Sequence, residues 1–380
     1  MRQCRADADQ DNITLDLCNC FDLTRLGQAC RLLVVALGVA VAPVHAQRPA
    51  NPIPQGGGPA LKAPFRYIDV HVHPIPERGV ASLTEALAAM DEAGIGKAIL
   101  LPPPQVSGMR QNWDHEAFAA AARARPERFA FLGGGGSLNP TIQETDAARV
   151  DERARGDFAA RARRILADGA IGFGEMTAHH LSHAPGHPYE SVPADHPLFL
   201  VLADIAAEYD VPIDLHLDLV SQAMRLPARF SAPPNPAELQ ANLEAFERLL
   251  AHNRRARVVW AHAGTDQTGS WTPQLSGQLL ERHPNLYMSI RLGPSASQPM
   301  IGPAGINGEW LAVFERFPDR FVLGGDQFFM SGMRGGPAAQ FSRFAPLQRN
   351  AQARLLAALP EPLGRKFAYE NATRIYRLSD

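Results

Sequence analysis

Cysteine is absent from most of this chain. All four cysteines, Cys4, Cys18, Cys20 and Cys30, lie within the first 30 of its 380 residues. The remaining residues therefore contain no cysteine nucleophile, no thiolate metal site and no disulfide bond. Chemistry carried by thiols is excluded for that part of the chain.

An excess of charge of one sign is also lacking. The chain has 37 lysines and arginines against 39 aspartates and glutamates, which gives a formal net charge of −2. No basic stripe is interleaved with aromatic residues, so nothing in the composition favours binding to nucleic acid. With 46% hydrophobic and 20% charged residues, the composition is that of an ordinary globular protein. The length suits two domains or one barrel-sized domain.

A long hydrophobic run is missing as well. Leu32–Ala42 (LLVVALGVAVA) is apolar but too short to cross a bilayer as a helix. Together with Val44-His45-Ala46 it predicts a secretory signal peptide that ends near Ala46, and hence a periplasmic or secreted protein with no membrane segment in its mature form. The alternative is a buried strand or helix. Residues 1–30 are rich in aspartate, and such an extension does not fit the positive start of a signal peptide.

Three segments follow from this reasoning. Residues 1–46 are the signal peptide and its upstream extension, residues 47–64 are a linker rich in proline and glycine, and residues 65–380 are the catalytic domain. In the domain, short apolar runs typical of strands alternate with amphipathic stretches typical of helices. The runs are Tyr67–Val72, Ala98–Leu101, Phe129–Leu132, Ala170–Glu175, Pro212–Leu217, Arg257–Ala261, Leu286–Ile290 and Phe321–Leu323. The helical stretches include Leu83–Glu92, Glu116–Ala124, Gln143–Ala167, Leu198–Tyr209, Ala237–His252 and Pro273–His283.

This alternation predicts an α/β protein with a parallel sheet. Eight repeats favour a closed (β/α)₈ TIM barrel over an open, doubly wound sheet. No glycine-rich dinucleotide motif follows the first run and no P-loop is found, and we interpret Gly133–Gly136 as a flexible loop. Leu355–Tyr376 is predicted to be mostly helical, with an interruption near Pro360 and Pro362.

Residues that can bind metal ions close several of the predicted strands. His71 and His73 are two apart on the first strand, so both side chains can point to the same face. Glu175, His216, His262 and Asp326 close the fourth, fifth, sixth and eighth runs. In a barrel, the carboxyl ends of the strands share one rim. An ionised carboxylate at that depth is costly unless a cation or a partner meets it. The pattern therefore predicts a divalent-metal site.

These residues resemble the metal site of the amidohydrolase superfamily. The stretches YIDVHVHP, VVWAHAG, RFVLGGDQF and YENATRIY narrow the resemblance to its amidohydrolase-related branch. The resemblance extends from about Tyr67 to Tyr376, nearly the whole predicted domain. It implies the barrel fold and a divalent metal, with zinc as the expected ion and one or two ions per chain. It does not specify the substrate, because the superfamily performs many reactions on one site.

The resemblance also implies roles for the site residues. His71, His73 and Asp326 would bind the more buried ion, and His216 and His262 would complete a second position. In a site with one metal, His262 would instead act as an electrostatic or acid–base group. Glu175 would bridge two ions, or else orient a histidine as a neighbouring carboxylate. Asp326 would take a proton from the attacking water and pass it to the leaving group.

Two further residues are candidates for substrate binding. Arg291 follows the seventh strand and could hold a substrate carboxylate, although an ordinary ion pair is equally compatible with the sequence. His179 belongs to a histidine-rich stretch with His180, His183 and His187, which could line the pocket, order a lid or bind metal incidentally. Asp69 lies two residues before His71 and could support the ligands from behind.

The functional expectation is a metal-dependent hydrolase that acts on a small carbonyl-containing substrate, an amide, lactone or ester, through metal-activated water. The alternative is a zinc-dependent decarboxylase of an unsaturated or aromatic carboxylic acid, a lyase known in the same branch. A third possibility, an exported binding protein without activity, is disfavoured by the intact set of ligands. The expected partner is a small-molecule substrate, and homo-oligomers are common for barrels of this kind.

Overall fold

The structure is a computed structural model that describes residues 61–74, 79–105, 113–183, 187–231, 234–292, 299–328 and 337–378. The signal-peptide prediction for residues 1–46 and most of the predicted linker lie outside these residues. Among the helices of the described residues, none is long and apolar enough to cross a membrane.

The described residues form short strands that alternate with helices. The strands are β1 (Tyr67–His73), β2 (Ile95–Leu100), β3 (Phe129–Phe131), β4 (Gly133–Gly134), β5 (Phe173–His180), β6 (Glu190–Ser191), β7 (Pro212–Leu217), β8 (Met224–Arg225), β9 (Glu238–Leu239), β10 (Arg257–Ala263), β11 (Leu286–Ile290), β12 (Ile301–Gly302), β13 (Gly305–Ile306), β14 (Phe321–Leu323) and β15 (Gln327–Phe328). The helices are α1 (Gly79–Ala93), α2 (Ala119–Arg123), α3 (Leu138–Glu144), α4 (Glu152–Ala167), α5 (Pro197–Tyr209), α6 (Leu243–His252), α7 (Pro273–Arg282), α8 (Gly308–Arg316), α9 (Pro337–Ala358), α10 (Glu361–Arg365) and α11 (Asn371–Tyr376).

Local sequence explains where several helices begin. The Asp151 side chain accepts a hydrogen bond from Ala154 N at the start of α4, and Thr272 accepts one from Leu275 N at the start of α7. Proline occupies the first turn of α5 and α7, where its missing N–H costs no helical hydrogen bond. These features fix the residue at which each helix begins.

One large sheet dominates the fold. Its strands pair in the order β3-β2-β1-β14-β11-β10-β7-β5-β4, and every pairing along this path is parallel. Outside this path, β15 pairs parallel with β1, and β6 pairs antiparallel with β5. The predicted α/β class with a mostly parallel sheet is therefore confirmed. Because the strands are parallel, their carboxyl ends lie on the same side, which gathers their last residues.

The glycine run after Phe131 contributes to the sheet. Gly133 and Gly134 form β4 and pair with Phe173 and Gly174 of β5. The interpretation of Gly133–Gly136 as a flexible loop was therefore wrong for its first half. A side chain on Gly135 would lie 2.6 Å from the Pro102 carbonyl oxygen. A Cβ on Gly135 or Gly136 would meet neighbouring backbone and one on Gly133 would meet side chains, so close packing, and not flexibility, explains these glycines.

Two apolar clusters stabilise the sheet. The larger one packs the helices on the outer surface of the strands and includes Phe173, Phe199, Trp260 and Phe314. The smaller one joins strand residues such as Ile68, Val259 and Val322 to Ala372, Ile375 and Tyr376 of α11. The terminal helix thus packs against residues near the starts of several strands, at the end opposite to their last residues.

Several predicted boundaries differ from the observed ones. Strand β5 continues to His180, so Glu175 does not end it. The helix predicted over Gln143–Ala167 is two helices, α3 and α4, separated by a 3₁₀ turn at Ala147–Arg149. Helix α8 was not predicted, and of α9 only the last turn, from Leu355, was predicted. The interruption near Pro360 is confirmed, because α9 ends at Ala358 and α10 begins at Glu361.

Candidate metal centre

The first strand presents two buried histidines side by side. His71 and His73 are 0% and 2% exposed, and their Nε2 atoms lie 3.2 Å apart. His73 Nδ1 lies 3.0 Å from the Leu101 carbonyl oxygen, which can only accept a hydrogen bond. His73 Nδ1 must therefore carry the proton, and its Nε2 presents a lone pair towards His71.

The carboxylate of Glu175 lies among four histidines. Its Oε1 is 2.9 Å from His216 Nδ1 and 3.1 Å from His262 Nε2. Its Oε2 is 3.3 Å from His71 Nε2 and 3.4 Å from His73 Nε2. Each oxygen therefore faces one pair of histidines, although Glu175 itself is only 3% exposed.

Asp326 completes the set from the other side. Its Oδ1 lies 3.1 Å from His73 Nε2 and 3.9 Å from His71 Nε2. Its Oδ2 lies 3.0 Å from Arg291 Nε, in an ion pair whose angle does not make a formal hydrogen bond. The side chain of Asp326 is 15% exposed, more than those of the other residues around Glu175, so it reaches furthest towards solvent.

The pKa values of the histidines are shifted in opposite directions. Burial alone would lower the pKa of His71, but the carboxylates of Asp214 and Glu175 raise that pKa well above its usual value. Burial lowers the pKa of His262 to about 4, so this imidazole is neutral at pH 7. Burial would raise the pKa of Asp326, but the Arg291 guanidinium holds it well below its usual range. Asp326 is therefore an ionised carboxylate at neutral pH.

Two site residues have left-handed backbone conformations. His262 has φ 68° and Asp326 has φ 48°, a region that side chains other than glycine rarely occupy. Each follows the regular part of its strand, so the unusual φ turns the side chain towards the centre. Gly264 and the glycines before Asp326 leave room for these turns, since a Cβ on Gly324 would contact Ser289 Oγ.

The donor set fits a divalent cation. Two nitrogens bound at about 2.0–2.1 Å to one tetrahedral ion lie roughly 3.3 Å apart, and the Nε2 atoms of His71 and His73 are 3.2 Å apart. Without a cation or a proton between them, two lone pairs would face each other across that gap. Two groups of ligand atoms lie within 4.8 Å of one another, His71 with His73 and Asp326, and His71 with Glu175 and His262. The two groups share His71, which places them side by side.

A third such group serves the fold. Asp114, His115 and Glu116 also have ligand atoms within 4.8 Å of one another. The oxygens of Asp114, however, already accept hydrogen bonds from Gly134 N, Ser137 Oγ and His115 N. This group therefore holds the loop before α2 against β4.

Comparison with known proteins identifies the family of this chain. The sequence profile of the amidohydrolase family matches residues 68–378. The chain belongs to the amidohydrolase family. It is thus an enzyme of the amidohydrolase type, and families of this type bind divalent metals. A search of curated proteins finds no match.

Solved structures similar to this amidohydrolase are distant in sequence. An apo structure from Agrobacterium tumefaciens shares 15% identity, covers 85% of this chain and 99% of its own, and has a TM-score of 0.45. An amidohydrolase from Bifidobacterium longum subsp. infantis shares 14% identity, covers 84% and 100%, and has a TM-score of 0.41. A beta-aspartyl dipeptidase from Fervidobacterium islandicum shares 13%, covers 82% and 74%, and has a TM-score of 0.45.

The histidine-rich stretch of the amidohydrolase approaches the centre through His180. The rings of His180 and His216 have centroids 4.5 Å apart, whereas His179 donates through Nδ1 to the Asp218 carbonyl oxygen and packs edge-on against Tyr189. His179, the predicted substrate-binding residue, therefore contacts Asp218 and Tyr189. Its neighbour His180 is the residue that packs against His216 of the candidate metal centre. Arg291, the other such residue, contacts Asp326.

Two carboxylates beside the ligands had no role in the sequence analysis. Asp214 lies 3.2 Å from His71 Nδ1, and Asp218 lies 3.6 Å from His216 Nε2. Each is two residues from His216 on or just after β7, so the signal was an Asp-x-His-x-Asp pattern at a strand end. Asp69, which was considered, accepts hydrogen bonds from the backbone N–H groups of His71 and Gly325.

Proposed function

We propose that this amidohydrolase is a metal-dependent hydrolase of a small carbonyl-containing substrate, an amide, lactone or ester. The observation that carries the proposal is the position of Glu175. One of its oxygens faces His71 and His73, and the other faces His216 and His262. This is the arrangement expected of a carboxylate that bridges two cation positions.

The residues divide into two sets of ligands under this proposal. His71, His73 and Asp326 would hold one divalent ion, with zinc as the expected metal, and His216 and His262 would hold a second, with Glu175 shared between them. Bound there, the metal would supply a Lewis acid that lowers the pKa of water and polarises a carbonyl oxygen.

Proton transfer is assigned to Asp326. Arg291 keeps it ionised, and its partial exposure puts it within reach of an entering substrate. It would accept the proton of the attacking water and deliver it to the leaving group. His262, which is neutral at pH 7, would serve as an uncharged nitrogen ligand or would stabilise the developing negative charge. Arg291 would assist by orienting Asp326, and His179 would contribute to the wall of the substrate pocket.

A closed barrel supports this arrangement, and we include it in the proposal. Strand β3 pairs with β2 and strand β4 pairs with β5, at opposite ends of the pairing path. In the sequence these two strands are separated only by Leu132, which is fully buried. If Phe129–Gly134 acts as one strand, eight parallel strands close into a (β/α)₈ barrel. An experimental structure in which this segment lies at an open edge would contradict closure.

Metal analysis and a substrate panel test the function. The purified chain is expected to contain about two divalent ions, and chelation should abolish hydrolysis of an amide, lactone or ester until metal is restored. About one ion together with metal-dependent release of CO₂ from an unsaturated or aromatic acid would instead identify a decarboxylase. A protein that binds no divalent metal would overturn the proposal.

Export is a separate part of the proposal and rests on Leu32–Ala42. The expected mature protein begins at Gln47 and is recovered from the periplasm or the medium. Mass spectrometry of the protein isolated from each cell fraction measures its N-terminus. Recovery of the uncut chain in the cytoplasm alone would contradict export.

A further inference from the structure

Asp214 is a buried carboxylate inside the sheet. It lies in the middle of β7, is 0% exposed, and neighbours Val259 of β10 in the strand register. A Cβ on Gly174 would lie 2.8 Å from Asp214 Cβ, so β5 and β7 enclose it tightly. Neither oxygen accepts a hydrogen bond of regular geometry from the residues that the structure describes.

The contact that Asp214 does make is with His71. Its Oδ1 lies 3.2 Å from His71 Nδ1, and both side chains are fully buried. An isolated carboxylate at this depth would cost several kcal/mol of desolvation. For Asp69, which is equally buried, hydrogen bonds from two backbone N–H groups offset this desolvation cost. For Asp214, the donor available at this distance is His71 Nδ1, although the angle of the contact does not make a formal hydrogen bond.

Tyr376 is the other candidate partner. Its hydroxyl is buried and makes no hydrogen bond in the described part of the chain. Burial, and secondly the charge of Asp214, raises the pKa of this phenol well above its usual value. The 3.2 Å contact with His71 is shown directly, whereas no contact of that length is shown for Tyr376. The tyrosine therefore supplies a matched control for the histidine.

We propose that Asp214 is the positioning residue of the metal centre, which fixes the ring and the tautomer of His71 by accepting its Nδ1–H. Nε2 then keeps its lone pair and is directed at the point shared with His73, Glu175 and Asp326. This inference rests on the proposed metal-dependent function. It adds a residue that acts through a ligand and does not itself reach the metal or the substrate.

His71 and His73 of β1 would then differ in their basicity as metal ligands. His73 donates its Nδ1–H to a neutral carbonyl oxygen, that of Leu101. Under the proposal, His71 donates to the carboxylate of Asp214, which would make its imidazole a more basic ligand. His71 also belongs to both groups of converging ligand atoms. The carboxylate of Asp214 thus contacts the histidine that belongs to both groups of ligand atoms.

Affinity for Co²⁺ and Zn²⁺, measured by competition with a chromophoric chelator on the full chain, tests the inference. Asp214→Asn is expected to weaken binding by about 10–100-fold, the usual effect of removing such a partner, and to change the visible spectrum of the Co²⁺ form. Tyr376→Phe is expected to leave the affinity within about twofold of wild type. If the asparagine variant does not fold, judged by circular dichroism, Asp214→Ser carries the same expectation.

A double-mutant cycle tests whether Asp214 affects metal affinity through His71. In a His71→Ala background, Asp214→Asn should produce no further loss of affinity, because its action through His71 is already gone. Wild-type affinity in Asp214→Asn, or an equal loss in the His71→Ala background, would overturn the positioning role. Absence of metal binding in the unaltered chain would instead overturn the proposed function, so the two failures are distinguishable.

Discussion

At the scale of single residues, Asp326 combines a place in the candidate metal centre with partial access to solvent. Asp326→Asn keeps the size of the side chain, and asparagine tolerates the left-handed backbone found there. We expect the fold and most bound metal to remain, while kcat falls by at least a thousandfold because the amide cannot accept the proton. Steady-state kinetics together with metal analysis check this. Full turnover in the variant would disprove the acid–base role.

Glu190 gives a prediction about pH. Burial raises its pKa to about 7, and its Oε1 accepts a hydrogen bond from Asn139 while Oε2 has no partner among the described residues. The folded state therefore holds a proton that the unfolded state releases above its ordinary pKa of about 4.5. Stability from this group is present below that pH and is lost as the pH rises towards about 7.

Glu190→Gln removes this titration. Between pH 4.5 and pH 8, urea unfolding of the wild type should show about 3 kcal/mol more loss of stability than unfolding of the variant. At pH 8 the variant should be the more stable of the two. Equal pH dependence in the two proteins would mean that Glu190 has no raised pKa.

The structure brings together the residues that the sequence predicted as ligands, whereas the sequence did not predict the carboxylates that lie behind them. His71, His73, His216, His262 and Asp326 could be recognised because a polar residue at the end of an apolar run needs a reason to be there. The proposed supporting role of Asp214 could not be recognised from the sequence, because it depends on which ring nitrogen of His71 faces β7. Which of His179 and His180 contacts the candidate metal centre depends on a register shift in the pairing of β5 with β7. The alternation of polar and apolar residues in the sequence does not reveal this shift.

At the scale of elements, the glycines differ in what surrounds them. Gly156 lies exposed within α4, and a Cβ there would contact nothing within 4 Å. Gly156→Ala is therefore expected to increase the free energy of unfolding by about 0.5–1 kcal/mol, since alanine loses less backbone entropy in a helix. Chemical denaturation measures the change.

Gly136 provides the matched contrast. A Cβ at this position would overlap the backbone carbonyl of Trp113, so Gly136→Ala should destabilise the protein. If both alanine variants shift stability in the same direction, the packing described around the end of β4 is incorrect.

Strand prediction succeeded where residues that end a strand flank the apolar run on both sides. Leu286–Ile290 and Phe321–Leu323 were predicted with their observed limits, because charged or turn residues flank both. The start of β2 was missed, because Gly96 and Lys97 interrupt its apolar pattern. The second half of β5 was missed because its last residues are polar and face the site. Burial against the rest of the molecule, and not local pattern, decides these residues.

At the scale of the whole molecule, α11 packs at the end of the sheet opposite to the metal centre. Ile375 is fully buried in the cluster that contains Ile68 and Val322. Ile375→Ala should lower the free energy of unfolding by about 2–5 kcal/mol, with little change in the affinity for metal. Denaturation and metal titration of the same sample measure both quantities.

Glu370→Ala is the control for this prediction. Glu370 is exposed and pairs with Arg365 at 3.6 Å, so its removal should change stability by less than about 1 kcal/mol. An equal effect of the two substitutions would show that the C-terminal residues are not part of the core.

The left-handed backbone at His262 and Asp326 has a consequence for the history of this protein. Selection for stability alone would favour glycine at both positions, because glycine adopts such angles at lower cost. Their persistence as histidine and aspartate would then depend on selection for chemistry. A descendant freed from its reaction would therefore lose these two residues early, and a directed-evolution campaign for heat resistance would meet its conflict with activity at positions 262 and 326.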